Sequence, residues 1–352
     1  MIFLDSRKGY IKIALQDHYG AIACYIRKKI GIRRNCKKTN CQFCNTGFHR
    51  VAGIPQRLKD ALGDDRFLED LICGYPNDLI QYEEMLWEEL FGGLKYAEIF
   101  SIRTTADNVL NAEEVELKRI FEHYETNYIH KIINYDWFSD LEPNDQYSTY
   151  HWARNLKIRS CVYCNRQFTT TVTKKNDKKL LRPQLDHWFP QSKFSFLALS
   201  FHNLVPSCDN CNSLVKNAIT LNLNDHTHPF VDKNQVNEFQ FDYEFDKSIN
   251  EFKIIIKPSS STNLRAADTV GQFKLDYIYN THIEELKDLI RIRQAYSRQY
   301  IDKIVRLIPN NRLTEEEIYR MLFGVELKPE NFHKRPLSKF KKDILLKLGI
   351  IK

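Results

Sequence analysis

Two Cys-x-x-Cys pairs, Cys161-Val-Tyr-Cys164 and Cys208-Asp-Asn-Cys211, constrain this chain more than any other feature. Each pair has the size of a zinc knuckle, a turn that aims two thiolates at one ion about 2.3 Å away. Two knuckles complete a tetrahedron and leave no open position, so the zinc they hold is structural. Everything between residues 164 and 208 then lies in a segment tied at both ends by one ion. That segment carries Asp186-His187 and Asn203, and Asn212 comes directly after the last cysteine, with Lys216 one helical turn on.

These residue types suit phosphodiester chemistry. Oxygen donors from Asp186 and Asn212 fit a hard cation such as Mg2+ or Mn2+, which keeps several waters for a substrate phosphate. A neutral imidazole deprotonates water near pH 7, which makes His187 the candidate general base. Neighbours on a strand point to opposite faces, so for both residues to serve one site the strand must bulge or end at His187; Pro190 is well placed to end it. Asn203 transfers no proton, and its amide is expected to bind backbone across the loop after His187. Arg182 and Lys216 are the candidate contacts to substrate phosphate. Taken singly these residues have plainer readings. A histidine among Leu185, Trp188 and Phe189 is a core histidine, an Asn after a cysteine caps a helix, and a helical Lys is solvated. Their company inside the cysteine frame favours the active-site reading.

The stretch from Cys161 to Lys216, and above all RPQLDHWFPQSKFSFLALSFHNLVPSCDNCNSLVKN, resembles the HNH (ββα-metal) endonuclease superfamily in its zinc-bearing form. It is similar to a bacterial group often found beside an ATPase in anti-phage defence, of Septu or retron-associated type. The resemblance implies that Asp186 is the first metal ligand, His187 the general base and Asn203 the middle Asn. Asn212 stands in place of the final His, and Cys161, Cys164, Cys208 and Cys211 hold the zinc. It also implies an ATPase partner. This chain has no Walker-type phosphate loop, so such an ATPase is another protein.

A second cysteine cluster, Cys36, Cys41 and Cys44 with His49, has the donors for another tetrahedral zinc, set among Arg33, Arg34, Lys37, Lys38 and Arg50. Free thiols are the alternative there. Cys24 and Cys73 stand alone and read as small buried hydrophobes. His228-Pro229 reads as a loop histidine without a role, the alternative being a group that approaches the site to support a ligand or serve as a spare one.

Charge is unevenly spread. Residues 1–60 hold 13 Lys and Arg against 3 Asp and Glu, residues 61–150 hold 6 against 20, and residues 151–352 hold 33 against 22. The basic parts suit a nucleic-acid backbone, DNA first; the acidic part suits solvent or a protein partner. No apolar run is long enough to span a membrane, and Ile2–Leu4 is too short for a signal-peptide core, so a cytoplasmic protein is expected.

The expected fold is α+β, mostly helical around a central ββα-metal module. Apolar spacing predicts helices over 65–73, 78–91 and 110–134, a β-hairpin over 238–257, a long helix over 282–308 and another beginning at Thr314. The chain divides into three regions: a basic-then-acidic helical part over 1–150, the HNH module over 155–230, and a hairpin with helices over 231–352. Two other functions stay open on these residues. One is an HNH nuclease cutting RNA or tRNA; the other is a zinc-dependent adaptor binding nucleic acid or protein without catalysis.

Overall fold

Helical periodicity governs the first half of the chain. The computed structural model describes residues 1–32, 49–144, 147–217, 219–259, 264–295, 303 and 314–351. Helix α1 (Gly9–Lys29) buries Ile11, Ala14, His18, Ile22, Tyr25 and Ile26, a stripe at helical spacing. Four helices come next in quick succession: α2 (Gln56–Gly63), α3 (Asp65–Cys73), α4 (Pro76–Leu90) and α5 (Tyr96–Thr104). Asp64 caps α3 by accepting from the Phe67 N–H, and Pro76 opens α4 where a missing N–H costs nothing. The helix expected over 110–134 is one run in three windings. It comprises α6 (Ala112–Tyr124), a π turn over Glu125–Ile129 and α7 (His130–Ile132), begun by an Asn111–Glu114 capping box. Helices α8 (Tyr135–Asp140) and α9 (Thr149–Leu156) lead into the cysteine frame.

Three two-stranded antiparallel sheets are present among the described residues, so the chain is α+β with helix dominant. Strands β1 (Val172–Thr173) and β2 (Lys179–Leu181) form a short hairpin. The lysine run between Lys174 and Lys179 is the tip and flank of that hairpin. Strands β3 (Gln184–His187) and β4 (Leu204–Ser207) pair with Asp186 opposite Val205 and His187 opposite Leu204. The hairpin expected over 238–257 is β5 (Phe239–Asp246) with β6 (Glu251–Pro258), and its buried Phe241 packs edge-on against Phe340 of the helix Ser338–Lys347. There Asp343 accepts from the Phe241 N–H and pairs with Lys339.

Of the long helix expected over 282–308, Ile283–Ala295 is helical, while 296–302 and 304–308 lie outside the described residues. The helix Glu315–Phe323 starts at a Thr314–Glu317 capping box, as its acidic first turn suggests. The buried apolar side chains form one continuous cluster drawn from Met1 through Ile351. The three regions read from the sequence therefore share a core. The first residues run alongside the central module, Ile2 N–H donating to the Val162 carbonyl and Leu4 N–H to that of Pro229, both at 2.8 Å. Among the described residues no helix is long and apolar enough to cross a membrane.

Candidate functional site

The metal centre is built from two turns. After α9 the chain makes a knuckle in which the Asn165 N–H returns to the Cys161 carbonyl at 2.8 Å and the Arg166 N–H points at Cys164 Sγ. The second knuckle comes directly after β4. All four Sγ atoms, from Cys161, Cys164, Cys208 and Cys211, lie within 4.8 Å of one another and all four residues are buried. Cys164 and Cys208 are 3.9 Å apart at sulfur, against about 3.8 Å for the edge of a tetrahedron with 2.3 Å zinc–sulfur bonds. Hydrogen bonds within the cluster lower the Cys164 and Cys208 thiols and raise that of Cys211, and burial raises Cys161, so the four thiols share their protons unequally. The donor set fits zinc. Of the second cysteine cluster, Cys36, Cys41 and Cys44 lie outside the described residues; His49 lines a different hollow with Lys29 and His123.

With β4 fixed by the metal knuckle, β3 beside it and the winding after Cys208 meet in one cleft of about 410 Å³. Asp186, His187, Asn212 and Arg182 all line it, together with Tyr135 and Asp136. Strand β3 ends at His187, as the neighbouring-face argument required, and the chain turns at Trp188-Phe189-Pro190. Residues Asn210–Lys216 wind as a π-helix, with the Asn217 N–H reaching back to the Asn212 carbonyl at 2.8 Å.

His187 is oriented by its own loop. Its Nε2 lies 2.9 Å from the Ala198 carbonyl, which only accepts, so Nε2 carries the proton and Nδ1 holds the lone pair of the neutral ring. Burial lowers the His187 pKa, outweighing the opposing pull of the Ala198 carbonyl, and the ring is neutral at pH 7. Tyr135 packs edge-on against it at 4.5 Å.

The loop that supplies Ala198 is held at many points. Asn203 accepts from the Phe189 N–H at 2.7 Å and donates to the carbonyls of Phe189 and Leu197, at 3.2 and 2.9 Å. It thus clamps the start of the loop to its end and faces no substrate. Helices far away in sequence hold the same loop. His18 donates to the Leu199 carbonyl, Ser200 to the Leu71 carbonyl, and the Phe196 N–H to the buried Glu83 carboxyl. Arg103 donates to the Lys193 carbonyl and pairs with Glu125, which also accepts from Ser195.

Asp186 is 3% exposed, and each of its oxygens takes one hydrogen bond. Oδ2 accepts a short bond from the Tyr163 hydroxyl, and Oδ1 accepts from the Lys216 ammonium at 3.1 Å. Lys216 also donates to the His187 carbonyl at 2.7 Å and is itself 1% exposed. This corrects the expectation that Lys216 meets substrate phosphate: its ammonium is sunk beneath the cleft, because the buried Asp186 charge needs a counter-charge. Tyr163 and the buried role of Lys216 were missed in the sequence. The one available signal was a tyrosine set between two metal-binding cysteines.

Comparison with family models, curated proteins and solved structures finds no match for this chain. The site is therefore judged on its own chemistry. Each Asp186 oxygen keeps a lone pair beyond its one hydrogen bond, and the Asn212 amide makes no hydrogen bond to the described residues. One carboxylate, already balanced by the Lys216 ammonium, and one free amide oxygen line the same cleft, and these are the oxygen donors present there for a hard cation. Arg182 is anchored through the Pro183 carbonyl and Ser139 Oγ, and its guanidinium also meets the Tyr135 hydroxyl where both line the cleft. His228 is buried behind the site against Trp188, not in the cleft.

Proposed function

We propose that the chain is a metal-dependent HNH-type endonuclease that hydrolyses DNA phosphodiester bonds. The observation that carries the proposal is the convergence of Asp186, His187, Asn212 and Arg182 on one cleft, with the His187 base tautomer fixed by the Ala198 carbonyl. A zinc adaptor without catalysis has no use for that convergence.

In this reading Arg182 takes a non-bridging oxygen of the scissile phosphate and sets the phosphorus over the cleft. Nδ1 of His187 accepts a proton from a water as the water oxygen attacks phosphorus. The bond from phosphorus to the 3′ oxygen breaks, and that oxygen is protonated by solvent. A divalent cation held by Asp186 and Asn212 would neutralise charge on the phosphate and the leaving oxygen. Asn203 keeps the loop closed so that the imidazole cannot swing away. A role in anti-phage defence beside an ATPase is supported by the resemblance of residues 182–217 alone.

The test is cleavage of plasmid, single-stranded DNA and total tRNA with and without Mg2+ or Mn2+, by wild type and His187→Ala. Wild type should cut plasmid only with added metal, and the variant should lose at least about a hundredfold in rate, the contribution of a positioned base, while keeping its zinc. Equal cutting by both proteins would sink the assignment of His187. Cutting confined to tRNA would move the substrate to RNA.

A further inference from the structure

A second hollow, about 820 Å³ in volume, lies apart from the cleft where the start of α1, the end of α9 and the turn Pro329–Lys334 meet. Its lining brings together Lys8, Arg154, Lys157, Arg159 and Lys334, and it contains no acidic residue. Among the described residues only Arg154 has a carboxylate partner, the exposed Asp177 at 3.6 Å. Five cations drawn from three distant parts of the chain repel one another, and folding gathers them while pairing one of the five with an acid. Solvated basic faces are usually convex and laced with acids; this one is concave.

His333 gives an independent sign of a ligand. It lines the same hollow, is 7% exposed, and its Nδ1 is buried with no hydrogen-bond partner. Buried polar atoms are mostly satisfied, so this nitrogen, in a residue that lines the basic hollow, is open to a group that comes from outside. Burial, then Lys8 and Lys334, lower the pKa of this imidazole to about 4 against the raising effect of a backbone hydrogen bond at Lys157, so it meets such a group as a neutral ring. The site is rigidly built, because the Arg159 N–H donates to the His333 carbonyl at 3.1 Å and the Thr169 N–H to the Arg159 carbonyl at 2.9 Å.

We propose that this hollow binds a run of phosphates, namely the backbone of a nucleic-acid strand, at a place separate from the cleft. A free polyphosphate shares the chemistry. The course of the chain favours the strand: Thr171 of the hollow precedes Val172, which pairs with Leu181 beside Arg182 of the cleft, so the two basic sites adjoin across the base of the β1–β2 hairpin, whose tip carries Lys174, Lys175 and Lys178. A backbone can span two such neighbouring sites, whereas a small ion needs only the hollow. The binding does not depend on hydrolysis, and it is measured without it.

The double variant Arg159→Glu/Lys334→Glu changes two exposed side chains. Fluorescence anisotropy of a labelled oligothymidine strand, in buffer without divalent metal, should show affinity falling at least about tenfold. The slope of log affinity against log salt should fall by about 1.4, for two lost phosphate contacts on a single strand. The neutral pair Arg159→Gln/Lys334→Gln should lie between wild type and the Glu pair, and carries the test if the Glu pair fails to fold. Calorimetry with inorganic triphosphate is the second arm, and absent or equal weak binding there supports the strand. Triphosphate binding lost in the variants while strand affinity holds would overturn the strand assignment. No change in either arm would overturn the site.

Discussion

Replacing Lys216 by methionine would leave the Asp186 carboxylate 3% exposed with only the Tyr163 hydroxyl beside it. Methionine fills most of the volume, so the loss is electrostatic. Removing one partner of a buried ion pair costs about 3–5 kcal/mol, since the remaining charge has neither water nor counter-ion. The bond from Lys216 to the His187 carbonyl is lost too, and the central expectation is about 4 kcal/mol. With an unfolding entropy of about 2.1 cal/mol/K per residue over 352 residues, that lowers the melting temperature by about 5 °C. The variant carboxyl can escape the penalty by taking up a proton. The deficit should therefore be full at neutral pH and shrink as pH falls toward 4. The double variant Asp186→Asn/Lys216→Met removes both charges and should recover at least half of the loss. Thermal unfolding with one equivalent of zinc per chain and no other divalent cation, across this pH range, measures all three proteins. A single variant within about 1 °C of wild type, or a double variant no better than the single, would refute the view that the pair is a buried mutual counter-charge.

The same geometry has other measurable consequences. Cys208→Ser should lower the zinc content by one ion per chain by atomic emission, and abolish the cooperative melt, because structural zinc sites commonly supply about 10 kcal/mol or more. Glu83 is buried, and burial raises its carboxyl to about 7. An unfolded carboxyl ionises near 4.5, so the stability this residue contributes is full below that pH and is lost as pH rises through 7. Glu83→Gln should therefore flatten the wild-type decline between about pH 4.5 and 8, a difference of up to about 3 kcal/mol readable in denaturant melts. Asn203→Ala deletes three hydrogen bonds and strands the Phe189 N–H, for about 3 kcal/mol in stability. It should also slow plasmid cleavage while zinc content stays at the wild-type level.

The parts of this protein legible in its sequence are those whose logic is local. The helix start at Thr314 is visible because a capping residue and its acidic partner sit three apart, and the same spacing recurs at Asn111. The β5–β6 hairpin is visible because strand alternation survives on both sides of a polar turn. The zinc knuckles are visible because each pair of thiolates is set by a turn of four residues. Helix α1 is not, since its buried stripe includes alanines and His18 among residues that also read as basic surface.

Lys216 shows where such reading stops. On a helix at the surface it is an ordinary phosphate-binding candidate, and nothing near it in sequence says that its ammonium turns inward. That is decided by Asp186, thirty residues away, whose burial between β4 and Tyr163 demands a cation. The loop behind His187 is a second case, held by His18, Leu71, Glu83 and Arg103 from helices more than eighty residues earlier. The five-cation hollow is a third, assembled from α1, α9 and the turn before the last helix. The sequence alone determined which donors, bases and helix caps exist, because these depend on residue type and short spacing. Only the tertiary structure decided which of them share a cleft and which charges go unpaired, because desolvation and counter-charge depend on what the rest of the chain packs around them.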